Sequence, residues 1–221
     1  DSMLQPLIYH QSKLYKPGDA KAHNKNCVTE ASPSLLNDTI FIPSGTGRLW
    51  GYSLKERKLV WQLYIGSDID GSAPVTYDDC LLQPIEKQYI KGRGGVIKVD
   101  PSKKAEESIQ WFFPTKNTDF ASWEGGVIGS VSVNDKYKTS DWAHLAAFTA
   151  IDGNLYIIEH DSIIPKSKAL GFDNITYYKT PRLVFKIRVG PAISTPIIVE
   201  NKVIILTIAP EKAKDFLEMI E

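Results

Sequence analysis

What the chain lacks narrows its function first. It holds 2 cysteines in 221 residues, Cys27 and Cys80, 53 positions apart. That excludes a multi-bridge disulfide framework and a four-cysteine zinc site. One disulfide or two free thiols remain, and two thiols with Cys80 buried in a strand is the expectation, because free cysteine is commonly buried. Charge of either sign is not in excess, with Lys+Arg and Asp+Glu both at 26. Nucleic acid and anionic membrane reward a basic surplus, so neither is expected as the main partner. No apolar run approaches the roughly 18 residues that span a bilayer. The opening Asp1-Ser-Met-Leu lacks the basic stretch and apolar core of a signal peptide. Such a start fits a cytosolic chain or one whose leader has been removed. Histidine is sparse as well. His10, His23, His144 and His160 form no i, i+4 pair and have no cysteine neighbour, so surface or strand positions are expected for them rather than a zinc site or a Ser-His-Asp arrangement.

What is present is a phrase, repeated imperfectly: Ser, a small residue, Pro, an apolar stretch, a turn and a second apolar stretch. It occurs at Ala31-Ser-Pro-Ser-Leu-Leu-Asn-Asp-Thr-Ile-Phe-Ile42, at Gly71-Ser-Ala-Pro-Val-Thr-Tyr-Asp-Asp-Cys-Leu-Leu82 and at Ile193-Ser-Thr-Pro-Ile-Ile-Val199. Weaker copies are Ser2-Met-Leu-Gln-Pro-Leu-Ile-Tyr9 and Gly129-Ser-Val-Ser-Val-Asn-Asp135. A unit recurring at a near-fixed period signals a repeat architecture. The apolar stretches are short, rich in Val, Ile, Tyr, Phe and Thr, and bounded by Gly, Pro, Asn or Asp, which is the pattern of strands.

Between residues 31 and 66 four such strands follow one another, with a Gly-bearing hairpin at Ser44-Gly-Thr-Gly47. Four strands in about forty residues is the size of one propeller blade. The Pro33-to-Pro74 spacing of 41 residues matches that size. The expected units are about 1–30 (partial), 31–70, 71–125, 126–192 and 193–221 (partial). The last ends in a short helix over Glu211 to Ile220. The second unit should repeat the order as Pro74 to Tyr77, Cys80 to Ile85, Gly95 to Asp100 and Ser108 to Phe113. Residues 160–181 read as a loop insertion in the third. Gly92-Arg-Gly-Gly95 lacks the Lys-Ser/Thr of a phosphate loop and reads as a hairpin tip. The first unit is too short, with 27 residues from Pro6 to Pro33, and Lys16 to Asn26 shows no strand pattern.

Gly47-Arg-Leu-Trp-Gly-Tyr-Ser-Leu54, then Leu59-Val-Trp61, Ile65-Gly66 and Asp70-Gly-Ser-Ala-Pro74 together resemble the pyrroloquinoline-quinone-like propeller repeat. The resemblance covers residues 31–114 well and 126–207 loosely. It implies an all-β fold of four-stranded antiparallel blades, about four to five of them here, in an incomplete ring. It implies that Trp61 and Trp111 dock one blade on the next, with Phe185 in the tryptophan's place in the third unit. The family includes quinone-dependent dehydrogenases, cofactor-free envelope scaffolds and sensor domains, so it specifies fold more than function. Its enzymes carry adjacent cysteines joined as a disulfide, a pair this chain lacks. The expectation is therefore a non-catalytic binding or scaffold module that takes a protein or small ligand at its loop face, in the periplasm or cell envelope. No cofactor is expected; pyrroloquinoline quinone and calcium belong to the alternative, an exported quinone-dependent dehydrogenase oxidising alcohols or sugars, or a degenerate relative of one.

Candidate site residues follow from loop placement. Tyr89 and Arg93 lie in a long polar loop, and Trp123 and Glu124 precede the third unit; in the family such segments lie at blade junctions, which makes these four the candidate recognition surface. Trp123 fits packing between blades equally well. Asp68 and Asp70, in Ser67-Asp-Ile-Asp-Gly-Ser72, are spaced like the opening of a calcium loop. The loop lacks that motif's Gly at position six and Glu at position twelve, so carboxylates capping local backbone is the competing and favoured expectation.

Overall fold

A computed structural model describes residues 10–120, 123–137, 143–200 and 202–206. The copy of the phrase at residues 2–9 and the helix expected over 211–220 lie outside these residues.

The first blade is a four-stranded antiparallel sheet of β1 (Ser34–Leu36), β2 (Thr39–Ser44), β3 (Arg48–Ser53) and β4 (Lys58–Tyr64), paired in chain order. The second holds β5 (Leu81–Ile85), β6 (Gly95–Val99) and β7 (Ile109–Pro114). Its expected inner strand is reduced to a single Val75–Leu81 bridge. The Thr76 N–H donates to the Cys80 carbonyl (2.9 Å), and the Cys80 N–H donates back to the Thr76 hydroxyl (3.2 Å). The Thr76 side chain thus takes part in holding this turn. The third blade consists of β8 (Ser132–Val133), β9 (Leu145–Thr149), β10 (Asn154–Ile163) and, beyond a short hairpin of β11 (Ala169–Leu170) and β12 (Tyr177–Tyr178), β13 (Pro181–Arg188). The pair β14 (Ile197–Val199) and β15 (Lys202–Ile204) begins a fourth. The described sheets do not close into a ring.

Each sheet serves two cores, because successive strand residues point to opposite faces. Leu81, Ile97 and Phe112 join Phe41, Leu49 and Leu63 in the cluster between blades one and two. Their chain neighbours Leu82, Val96 and Trp111 join Phe148, Tyr156 and Ile158 between blades two and three. Ala147, Leu155, Ile157 and Ile198 fill the next seam. Covered on both faces, β5 and β6 are buried at every position, Gln83 and Lys98 included.

The tryptophans dock blades as the repeat implies. The Trp61 indole N–H donates to the Lys103 carbonyl of the second blade (3.0 Å). Trp111, 0% exposed, donates to the His160 carbonyl of the third (2.9 Å). Burying one such ring is worth on the order of 3 kcal/mol. Phe185 occupies the same register position, since Trp61, Trp111 and Phe185 each precede a register shift in their strand pair. Phe185 remains 36% exposed.

The repeated phrase forms a chain of hydroxyl contacts linking the starts of successive blades. The Ser32 N–H donates to the Ser72 hydroxyl (2.8 Å), the Ser72 N–H to the Ser130 hydroxyl (2.8 Å) and the Ser130 N–H to the Thr195 hydroxyl (2.9 Å). Glycine at 71 and 129 permits this closeness. A Cβ on Gly71 would lie 2.6 Å from the Gly129 carbonyl oxygen, and one on Gly129 would lie 2.6 Å from that of Ser194.

Two segments depart from strand form. Residues 10–28 run as a strap containing the one-turn helix α1 (Asp19–Ala22). The Leu14 carbonyl accepts hydrogen bonds from the Ser44 and Thr46 hydroxyls and the Trp50 indole, and Asp19 pairs with both sides of the Arg48 guanidinium (2.8 and 2.9 Å). Within the insertion, the β11–β12 hairpin packs back on the second blade. Phe172 and Tyr178 meet Phe112, and the Phe112 N–H donates to the Lys179 carbonyl (2.9 Å).

Candidate functional site

The antiparallel strands gather the connecting loops at two opposite ends. One, the junction end, holds the turn 44–47, the inter-blade segments 65–70 and 115–126, and the loop 86–94. The far end holds the turns 54–57 and 76–80, residues 100–108 and residues flanking 135 and 160.

The four candidate recognition residues come together at the junction end. A Glu86–Gly126 bridge and the Lys87 N–H to Gly125 carbonyl bond (3.0 Å) join their two loops. Lys87 and Glu124 form an ion pair (3.2 Å) across that join. Tyr89 has φ 62°, is exposed, and meets the His23 ring edge-on at 4.8 Å. Arg93 is exposed. Gly92, expected at a hairpin tip, is buried, and its N–H donates to the Phe172 carbonyl (2.9 Å). Trp123 is half-buried and stacks on Phe120 at 6.3 Å.

Beneath these residues lies a patch of carboxyl groups. Asp68 is buried, accepting from the Asn26 amide (2.8 Å) and from the Ile69 N–H (3.1 Å). The second of these contacts is to local backbone; the first comes from a side chain 42 residues away. The Asp70 and Glu86 carboxyl groups accept no hydrogen bond from the described residues, although the Glu86 carbonyl accepts the Ser67 hydroxyl. Burial, then repulsion from Asp68 and Glu30, pushes the Asp70 carboxyl up to about 6. Glu86 is 2% exposed, and burial together with Asp70, Asp68 and Glu30 pushes it up to about 8. Sequence reasoning missed Glu86, since nothing in Gln83-Pro-Ile-Glu-Lys87 marks it as buried.

The far end carries a second group that sequence reasoning missed. Single ligand atoms of Asp135, His144 and His160 lie within 4.8 Å of one another, and Asp68 and Asp70 join no third ligand residue in that way among the described residues. Asp135 Oδ1 accepts from His144 Nδ1 and His160 Nε2, both at 3.0 Å, and Oδ2 accepts from the Tyr77 N–H (2.9 Å). Burial alone would raise this carboxyl, but the two imidazoles overcome that effect and hold it down at about 2. His23, His144 and His160 are all buried. His160 lies in a strand, as expected, but the surface placement is corrected for all three: the ring nitrogens facing Asp135, Asp19 or Gly66 have polar partners that make burial tolerable. The signal was present in the hairpin around Asp152-Gly153, whose register sets His144 opposite His160. Cys27 and Cys80 are free, and burial pushes the Cys80 thiol up to about 11.

No family model and no curated protein sequence matches the chain. Among solved structures it is similar to the quinohemoprotein alcohol dehydrogenase ADHIIG of Pseudomonas putida HK5, with a TM-score of 0.54 and 13% identity over 80% of this chain. The fold is that of a quinoprotein-like β-propeller. BamB of Moraxella catarrhalis is a more distant likeness, with a TM-score of 0.42 and 13% identity over 79% of the chain. The chain spans 29% of the dehydrogenase and 57% of BamB. At such identity the likeness establishes architecture alone. Among the described residues no helix is long and apolar enough to cross a membrane.

Proposed function

We propose that this chain is a non-catalytic binding or scaffold module that recognises a protein or small ligand at the junction end of its blades, through Tyr89, Arg93, Trp123 and Glu124. One observation carries this reading. Two loops from successive blade positions are pinned together by backbone bonds, and they carry those four side chains above carboxyl groups for which the chain supplies no cationic partner. Backbone pinned in this way loses little entropy on binding. The ligand that the electrostatics favour carries a cation, an amine or a lysine- or arginine-bearing segment, because a positive group placed beside Asp70 and Glu86 offsets the burial, and the added carboxylate repulsion, that now raise both.

The residues present do not fit the quinone-dependent alternative. The two cysteines are free and far apart in sequence, so the adjacent pair of those enzymes has no counterpart. The reading needs neither quinone nor calcium, and it places the module in the periplasm or cell envelope on the strength of the repeat resemblance. Photo-crosslinking groups placed at Tyr89 and Arg93, with controls at Arg57 and Lys104 on the far end, test it in cells. Adducts to a discrete partner from the first pair alone are expected. Adducts confined to the control pair would overturn the reading. So would dye-linked turnover of an alcohol or sugar after addition of pyrroloquinoline quinone and calcium.

A further inference from the structure

At the far end, three blade elements converge on one point. Asp135 lies in a short 3-10 turn after β8, His144 immediately precedes β9, and His160 lies within β10. The β9–β10 register holds the two histidines opposite each other, and the His160 N–H donates to the His144 carbonyl (2.9 Å). Asp135 is pinned through its other oxygen by the Tyr77 N–H, which comes from the second blade (2.9 Å).

From this geometry we infer a binding site for one divalent transition ion of the zinc type, held by Asp135 Oδ1, His144 Nδ1 and His160 Nε2. Two imidazoles and one carboxylate suit a borderline ion such as zinc better than calcium, which takes oxygen ligands. The spacing suits it as well. Ligands about 2.1 Å from a tetrahedral zinc lie roughly 3.3 Å from one another, and the carboxylate oxygen here stands 3.0 Å from each nitrogen. Small outward shifts of the two rings admit the ion, which takes the place of the protons now shared with Asp135.

A further observation points to a ligand. A metal-bound histidine usually gives its other ring N–H to a carboxylate, which fixes the tautomer and raises ligand basicity. Asp161 is placed for that role, with Oδ2 3.5 Å from His144 Nε2 and itself accepting the Tyr77 hydroxyl (3.0 Å). The Tyr77 ring stacks on His144 with centroids 3.4 Å apart, setting the plane of the imidazole. The other ring nitrogen of His160, Nδ1, is buried without a partner among the described residues and faces away from the ion position at Nε2. A cleft of about 240 Å³ lined by Asp78, Lys98, His160 and Asp161 lies beside the site. His160 lacks the carboxylate brace that His144 has, so the site binds less tightly than a fully braced one.

Untagged, chelator-stripped protein titrated with cobalt(II) tests the inference. One ion per chain is expected, with visible d–d absorption bands of a low-coordinate site, displaced by zinc. His144→Gln and His160→Gln should each abolish the bands, and Asp161→Asn should weaken binding about 10–100-fold while leaving the far-ultraviolet circular dichroism unchanged. Absence of cobalt or zinc binding by the folded wild-type chain would overturn the inference. Full binding retained by both histidine variants would also overturn it. If those variants do not fold, the partly exposed Asp161 decides: unchanged affinity in Asp161→Asn contradicts the proposed brace and the site with it.

Discussion

The two ends of the blades bury carboxyl groups to opposite effect. At the junction end Glu86 is driven up to about 8 and Asp70 to about 6, while at the far end Asp135 is held down at about 2. All three lose water on folding, and burial pushes each in the same direction. What differs is company: other carboxylates surround Glu86, and two imidazoles and a backbone N–H surround Asp135. At Glu86 and Asp70 burial is the larger cause and the neighbouring carboxylates add to it; at Asp135 the neighbouring imidazoles and N–H outweigh burial and reverse the sign. The buried carboxyl at the far end has partners supplied by the chain, and those at the junction end have none of opposite charge.

The comparison can be broken most forcefully at the far end. Asp135→Ala leaves two imidazoles buried without their anion and should destabilise the metal-free chain by about 3 kcal/mol, read by urea unfolding with chelator present. The matching change at the junction end should act in the opposite direction. A carboxyl whose native value is raised adds stability below its unfolded value, near 4.5 for Glu86, and loses it as pH climbs through about 8. Glu86→Gln should therefore stabilise the chain by on the order of 2 kcal/mol at pH 9 and leave it unchanged at pH 4. Asp70→Asn should give a smaller gain, about 1 kcal/mol, appearing above pH 6, since Asp70 is only partly buried. The smallest effect belongs to Glu124→Gln. Its carboxylate is mostly exposed in the pair with Lys87, so unfolding free energy should move by less than about 0.5 kcal/mol.

Much of the fold was legible because it rests on local periodicity. The 41-residue spacing, the hairpin at Ser44 to Gly47 and the tryptophans at 61 and 111 all follow from strand and turn chemistry repeated along the chain. The short second-blade inner strand was not legible, and the Thr76 to Cys80 turn beside it is held in part by side-chain bonds specific to that copy. Lys16 to Asn26 showed no strand pattern in the sequence, but the docking of the strap that contains it, through Asp19 and Leu14, involves partners some thirty residues away. Of the site, Tyr89, Arg93, Trp123 and Glu124 were found by analogy of loop position. Glu86 and the His144–His160 pair were missed because their character arises from packing: Glu86 is buried by the bridge to Gly126, and the histidines meet only once β9 and β10 align.

The central claim is that the junction end buries carboxyl groups for which the chain itself supplies no cationic partner. Site-specific titration of the Glu86 side-chain carboxyl by carbon-13 nuclear magnetic resonance tests it most directly. The account predicts a midpoint near 8, falling when an amine-bearing ligand binds and when Asp70 is replaced by Asn. A midpoint in the ordinary glutamate range, close to 4.5 and indifferent to Asp70, would contradict it.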